Sequence, residues 1–228
     1  LSILFPEIKA EFTLRDTQLG LLGGVSFAFF YATMGLPIAC LSDQYSRKRI
    51  IITSLVVFSL MTALCGLGGG FISLLLLRVG VGIGEAGVNP ASHSIIADYF
   101  PPQRRALAMS ILMLGGSVGM ILGFVGGGVV AEHYGWRVAM VAVRLPGLLL
   151  AFVMGRILKE PARSTFETQA LEPPPAILTN AEAMWQNCAM RHLIFCAIAT
   201  GFMSYDLTQW LPTFLCEHII SVNHRRAC

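Results

Sequence analysis

Charge is scarce in this sequence. Of 228 residues, 13% are Asp, Glu, Lys or Arg, while 55% are hydrophobic. A soluble domain carries about 25% charged residues, so too little charge is present to cover a water-facing globule. That excludes an ordinary cytosolic enzyme, a disordered chain and a nucleic-acid binder. Catalytic signatures are missing as well. There is no H-E-x-x-H, no phosphate loop and no recognisable Ser/His/Asp set, so neither enzyme activity nor a cofactor is expected. The six cysteines (Cys40, Cys65, Cys188, Cys196, Cys216 and Cys228) form no C-x-x-C pair. Several sit in apolar runs and read as small buried residues rather than a disulfide framework. Cys216, His218, His224 and Cys228 fit no standard zinc spacing, and no metal site is expected. The net charge of +3 says little about partners.

Long apolar runs take the place of charge. A bilayer core about 30 Å thick needs roughly 20 apolar residues per helix. Runs of that kind cover about 18–41, 50–68, 71–99, 106–131, 136–158 and 192–216. The opening LSILFPEI reads as the last two turns of a further span and lacks the charged n-region of a signal peptide. The predicted fold is all-α, a polytopic helical bundle whose solvent is the lipid bilayer. Residues 1–158 form one transmembrane bundle, and 159–191, with Pro173-Pro174-Pro175, form a linker. Residues 192–216 form one more span, and 217–228 are left unassigned. Arg47, Lys48, Arg49, Arg104, Arg105, Arg156, Lys159, Arg163 and Arg191 all fall on one side if the spans alternate. The positive-inside bias makes that side cytoplasmic, and the expected host is a cell (inner or plasma) membrane.

A few polar groups lie within the runs. Arg78 and Glu85 are seven residues apart. At about 100° per residue that is nearly two turns, so the two charges share a helix face about 10.5 Å apart. Asn89 extends the stripe. Ionisable groups at membrane depth are costly and usually face a cavity. The stripe reads either as a substrate path with Glu85 carrying a proton, or as an internal salt bridge between helices. Asp206 is a further cavity acid on the same reasoning. Arg144, midway along its span, is compatible with snorkelling, with pairing to Glu85, or with a damaged sequence. Gly115, Gly119, Gly123 and Gly127 make consecutive G-x-x-x-G steps, which predict a tight helix–helix seam. Gly82, Gly84 and Gly87 spell a dinucleotide-type fingerprint, but no strand precedes them; close helix contact explains them better. Asp98 and Arg105 flank a loop that either latches to Asp43 and Arg47 or is simply solvated.

The loop CLSDQYSRKR resembles the major facilitator superfamily signature G-x-L-a-D-r-x-G-r-r/k. Leu41, Asp43, Arg47 and Lys48 match, while Ala39, Gln44 and Ser46 depart from it. Arg78 with Gly82 and Gly84 resembles the R-x-x-x-G-x-G of that family's fourth helix. The runs Asp16–Leu22, Phe30–Ala39, Arg78–Ala106 and Gly135–Ala151 are similar to the spinster-like branch. The resemblance implies the family's N-terminal half plus one span of the second, with the other half missing and expected as a structural partner. It implies a secondary transporter working by alternating access on a lysolipid, a sphingoid lipid or another amphipathic organic anion, coupled to protons. Arg78 and Glu85 would lie in the cavity, and Asp43, Arg47 and Lys48 in the cytoplasmic gate. Rival readings are a transporter of a polar organic or sugar acid, and a truncated membrane fragment that transports nothing.

Overall fold

The structure is a computed structural model that describes residues 2–161 and 185–226. All regular structure among them is helical, as a polytopic membrane bundle requires. The chain divides into two compact units, essentially residues 3–166 and 167–228.

The first unit opens with a 3₁₀ turn, Ser2–Leu4, and helix α1, Phe5–Phe12. Thr13 ends α1 in the left-handed region. Helix α2, Asp16–Gly20, then continues through a π-helical turn, Leu21–Val25, into α3, Ser26–Gln44. Helix α4, Arg47–Cys65, starts at Ser46, whose hydroxyl accepts from the Arg49 N–H. Its buried face carries Ile51, Ser54, Ser59, Thr62 and Cys65. Small side chains there let α5 and the end of α7 approach closely.

The run over 71–99 spans a membrane length but is two helices, α5, Phe71–Glu85, and α6, Val88–Tyr99. Pro90 supplies the reason. It has no N–H to return to the Ala86 carbonyl, and its ring disfavours continued helix just before it. The stripe expected to run from Arg78 through Asn89 is therefore interrupted directly after Glu85.

Helix α7, Pro102–Ile157, is longer than either span expected there. At 1.5 Å per residue its 56 residues would measure about 84 Å, far more than a bilayer core. Gly135, at φ 80° and ψ 164°, breaks it into two arms. That conformation is open essentially to glycine alone. A Cβ on Gly127 would lie 3.4 Å from Val143 Cγ2. These positions flank Gly135 symmetrically, so the chain doubles back there. The two expected spans, 106–131 and 136–158, are the two arms.

Two apolar clusters close the ends of the bundle. One packs Phe5, Ile8, Leu19, Leu22, Leu74 and Trp136 near the Gly135 turn. The other packs Ile51, Ala91 and Ile95 against Met154 and Leu158. Many large apolar side chains on the first arm of α7, such as Leu107, Ile111 and Leu122, are exposed, as lipid-facing residues are.

The second unit contains α8, Cys188–Arg226. The expected span 192–216 lies inside this helix, and the helix runs on through most of the tail left unassigned. Among the described residues, its apolar stretch is Cys188–Ser204. Of the expected linker, residues 162–184 lie outside the described residues. The described cysteines (Cys40, Cys65, Cys188 and Cys196) are free thiols.

Candidate functional site

Helix geometry brings Arg78 and Glu85 to one cavity of ≈ 840 Å³, which Arg144 from the second arm of α7 also lines. Phe58 and Thr62 of α4 and Met140 and Val143 of α7 supply further walls.

Arg78 is nine-tenths buried. Its Nε donates to the Leu22 carbonyl at 3.3 Å, and its guanidinium lies 5.2 Å from the Phe27 ring centroid. The π-helical turn is the local cause, since its wider winding re-aims backbone groups. Ser26 donates its hydroxyl to the Leu21 carbonyl at 2.6 Å. Glu85 makes no hydrogen bond or ion pair among the described residues; its charged neighbours are Arg144 first and then Arg78. Arg144 stacks 4.6 Å over the Phe58 ring.

Asn89 is absent from this cavity. It lies past the Pro90 break, is exposed, and donates from Nδ2 to the Tyr31 hydroxyl at 2.9 Å. The glycine stripe also behaves differently from the expected seam. A Cβ on Gly115, Gly119 or Gly123 would meet nothing within 4 Å among the described residues, and only Gly127 touches a neighbour. Gly119, Gly123 and Gly127 form cavity wall instead. Periodicity found the face but could not say what stands opposite it. The close contacts are made by the other glycines. A Cβ on Gly82 would lie 2.9 Å from the Phe27 carbonyl oxygen, and one on Gly84 2.7 Å from the Phe58 backbone nitrogen. Asp206 is on α8, but its side chain lies outside the described residues.

A second polar cluster sits at the end of the bundle where α4 begins and α6 ends. Arg47 pairs with Asp98, both side chains about nine-tenths buried. The Asp43 side chain lies outside the described residues. Arg105 donates from Nε to the Phe100 carbonyl at 3.2 Å, within its own loop. Lys48 enters through its backbone. Its N–H and that of Arg47 each donate to the Glu160 carboxylate at 2.9 Å, and Ser46 donates its hydroxyl at 2.6 Å. Glu160 thus caps the first turn of α4, where a negative charge is favoured. Burial pushes its carboxyl up, but the Ser46 hydroxyl, the Lys48 and Arg47 N–H groups and the Arg47 charge outweigh this and hold it below the usual range. Tyr99 adds a hydroxyl to the Lys159 carbonyl at 2.5 Å. Glu160 escaped sequence reasoning because it lies more than a hundred residues from its partners, and its only signal was an acid just past a span.

The opposite end is tied by α1. Glu11 accepts from Trp136 Nε1 at 2.7 Å and pairs with Arg137, and Glu7 accepts from the Trp136 N–H at 3.0 Å. Arg137 lies 4.3 Å over the Trp136 ring.

A bundle of apolar helices with charges held inside it and ion clusters at both ends is a multi-pass membrane protein. The chain matches the Major Facilitator Superfamily over residues 1–221 and belongs to that family. It is 32% identical over 218 residues to an MFS-type efflux pump of Mycolicibacterium smegmatis, covering 94% of this chain and 49% of that protein. It is 27% identical over 220 residues to a hexuronate transporter of Bacillus subtilis, covering 95% and 52%. It also resembles the crystal structure of a bacterial homolog of the human lysosomal transporter Spinster, in an inward-facing, unoccupied conformation. There the identity is 33% and the TM-score 0.75, over 94% of this chain and 50% of that one. The chain is spinster-like and spans about half the length of the curated relatives it matches.

Proposed function

We propose that this chain is the N-terminal half, with one span of the second half, of a secondary transporter for an amphipathic organic anion of lysolipid or sphingoid type. The other half would be its structural partner in the bilayer. The observation that carries this reading is the joint placement of Arg78, Glu85 and Arg144 on one cavity whose remaining walls are mostly apolar. The arginines attract an anionic group, and the Gly, Met, Phe and Val walls accept a chain. Glu85, without a hydrogen bond or ion pair among the described residues, is the group that takes and releases the coupling proton. The charged and titratable groups around it are Arg144 and Arg78, with Cys65 close enough to feel both arginines. Protonation removes the Glu85 negative charge, the only one in this cluster among the described residues, and biases the cavity toward one side of the membrane. The Arg47–Asp98 pair and the Glu160 cap act as the cytoplasmic latch. The arginine and lysine bias of the loops supports a cytoplasmic latch, and the host we propose is a cell (inner or plasma) membrane.

A second reading, a polar organic acid or sugar acid, is favoured by the similarity to a hexuronate transporter. A chimera decides between them, with this chain replacing the matching half of the bacterial spinster homolog in proteoliposomes. Uptake of a fluorescent lysophospholipid driven by a pH gradient is expected, and Glu85→Gln is expected to abolish the response to the gradient while expression persists. An unchanged response in Glu85→Gln removes Glu85 from the coupling, and uptake of hexuronate alone favours the second reading.

A further inference from the structure

The two cavity arginines are held in different ways. Arg78 is engaged with its own fold, through the Leu22 carbonyl and the face of Phe27. Those contacts tie α5 to the π-helical turn and to α3. Arg144 makes no hydrogen bond or ion pair among the described residues. Its contact is the ring of Phe58, and its Nε is shut away from solvent without an acceptor. A buried guanidinium N–H left unsatisfied is costly, and the acceptor that suits it best is an oxyanion gripped by two parallel N–H groups. The Phe58 ring holds the guanidinium in place on one side. Among the described residues, two arginines against one glutamate also leave the cluster one positive charge in excess.

We propose that Arg144 is the residue that grips the anionic group of the bound molecule, a carboxylate or phosphate, while Arg78 positions the helices around it. The assignment rests on the reading of this cavity as the transport site. It carries a consequence for coupling. Arg144 and Glu85 line the same cavity, so a Glu85 carboxylate and a bound anion compete for one guanidinium. Neutral Glu85 leaves Arg144 to the anion, so proton and anion enter the site together. Among the described residues, Arg78 and Cys65 are the other titratable groups near this pair.

The test is calorimetric titration of the purified full chain in dodecyl maltoside. The probes are an octanoyl lysophosphatidylglycerol, glucuronate, and uncharged octanoyl glycerol as a control. Binding of the lysophospholipid identifies a lipid headgroup as the source of the anion, and binding of glucuronate a free acid. Arg144→Gln is expected to raise the Kd of whichever anion binds by about ten- to a hundredfold and to leave the control unchanged. Arg144→Lys, which keeps the charge and loses the fork, is expected to fall between. Glu85→Gln is expected to tighten the anion. Equal anion affinity in Arg144→Gln and the unsubstituted chain overturns the assignment and leaves the transport reading standing. A parallel loss of the uncharged control also overturns it, since Arg144 would then be shaping the cavity only. Failure of the unsubstituted chain to bind either anion overturns the assignment and the anion reading together.

Discussion

Arg47 and Asp98, 51 residues apart in the chain, meet as an ion pair at the junction of α4 and α6, with side-chain exposures of only 11% and 10%. Removing one partner of such a pair leaves a desolvated charge behind and typically costs about 3–5 kcal/mol. Asp98→Ala is therefore expected to destabilise the bundle strongly. The Arg47→Leu/Asp98→Leu double variant should lose less than the sum of the two single changes. Thermal unfolding in detergent, run as a double-mutant cycle, measures this; strictly additive losses would show that the pair is not coupled.

Glu160 makes the same end of the bundle sensitive to acid. Its carboxyl is held below the ordinary value of 4.5 in the folded chain. A depressed folded value means that the ionised form stabilises the fold above the ordinary range, and that this contribution disappears as pH falls through the folded value. Unsubstituted protein should melt above Glu160→Gln at neutral pH, and the two melting curves should converge below about pH 4.5. A gap that persists unchanged into acid would mean that the carboxylate charge is irrelevant to the cap.

Two glycines of similar spacing should respond oppositely to alanine. A Cβ on Gly84 would come within 2.7 Å of the Phe58 backbone nitrogen, so α4 must shift to admit it. Overpacking of that kind costs about 1–3 kcal/mol. Gly119 has nothing within 4 Å of its Cβ position among the described residues. Gly119→Ala should leave the melting temperature unchanged or slightly raised, since alanine is the better helix former by about 1 kcal/mol. Equal destabilisation by both changes would mean that a helix does pack on the Gly119 face.

Much of this architecture was legible in the order of residues, and the reason is local. Hydropathy over a bilayer length located the membrane segments, because backbone groups in lipid must be satisfied within a helix. The 3.6-residue period placed Arg78 and Glu85 on one face, and both line one cavity. The small residues Gly82, Gly84 and Gly87 are points of close helix approach, as their spacing predicts. Other features escaped. The glycines Gly115, Gly119 and Gly123, whose spacing predicts a helix seam, meet no neighbour within 4 Å of a Cβ among the described residues. Asn89 leaves the stripe because of one proline on the next residue.

The sequence by itself determined the solvent, the class of fold and the faces of individual helices, since each depends on residues within a few turns of one another. Only the tertiary structure decided what those faces meet. It set Glu160 on the first turn of α4, turned the glycine stripe toward a cavity, and brought Arg144 beside Glu85. These outcomes depend on how distant helices pack, and one helix's periodicity cannot specify the neighbour that packing brings to it.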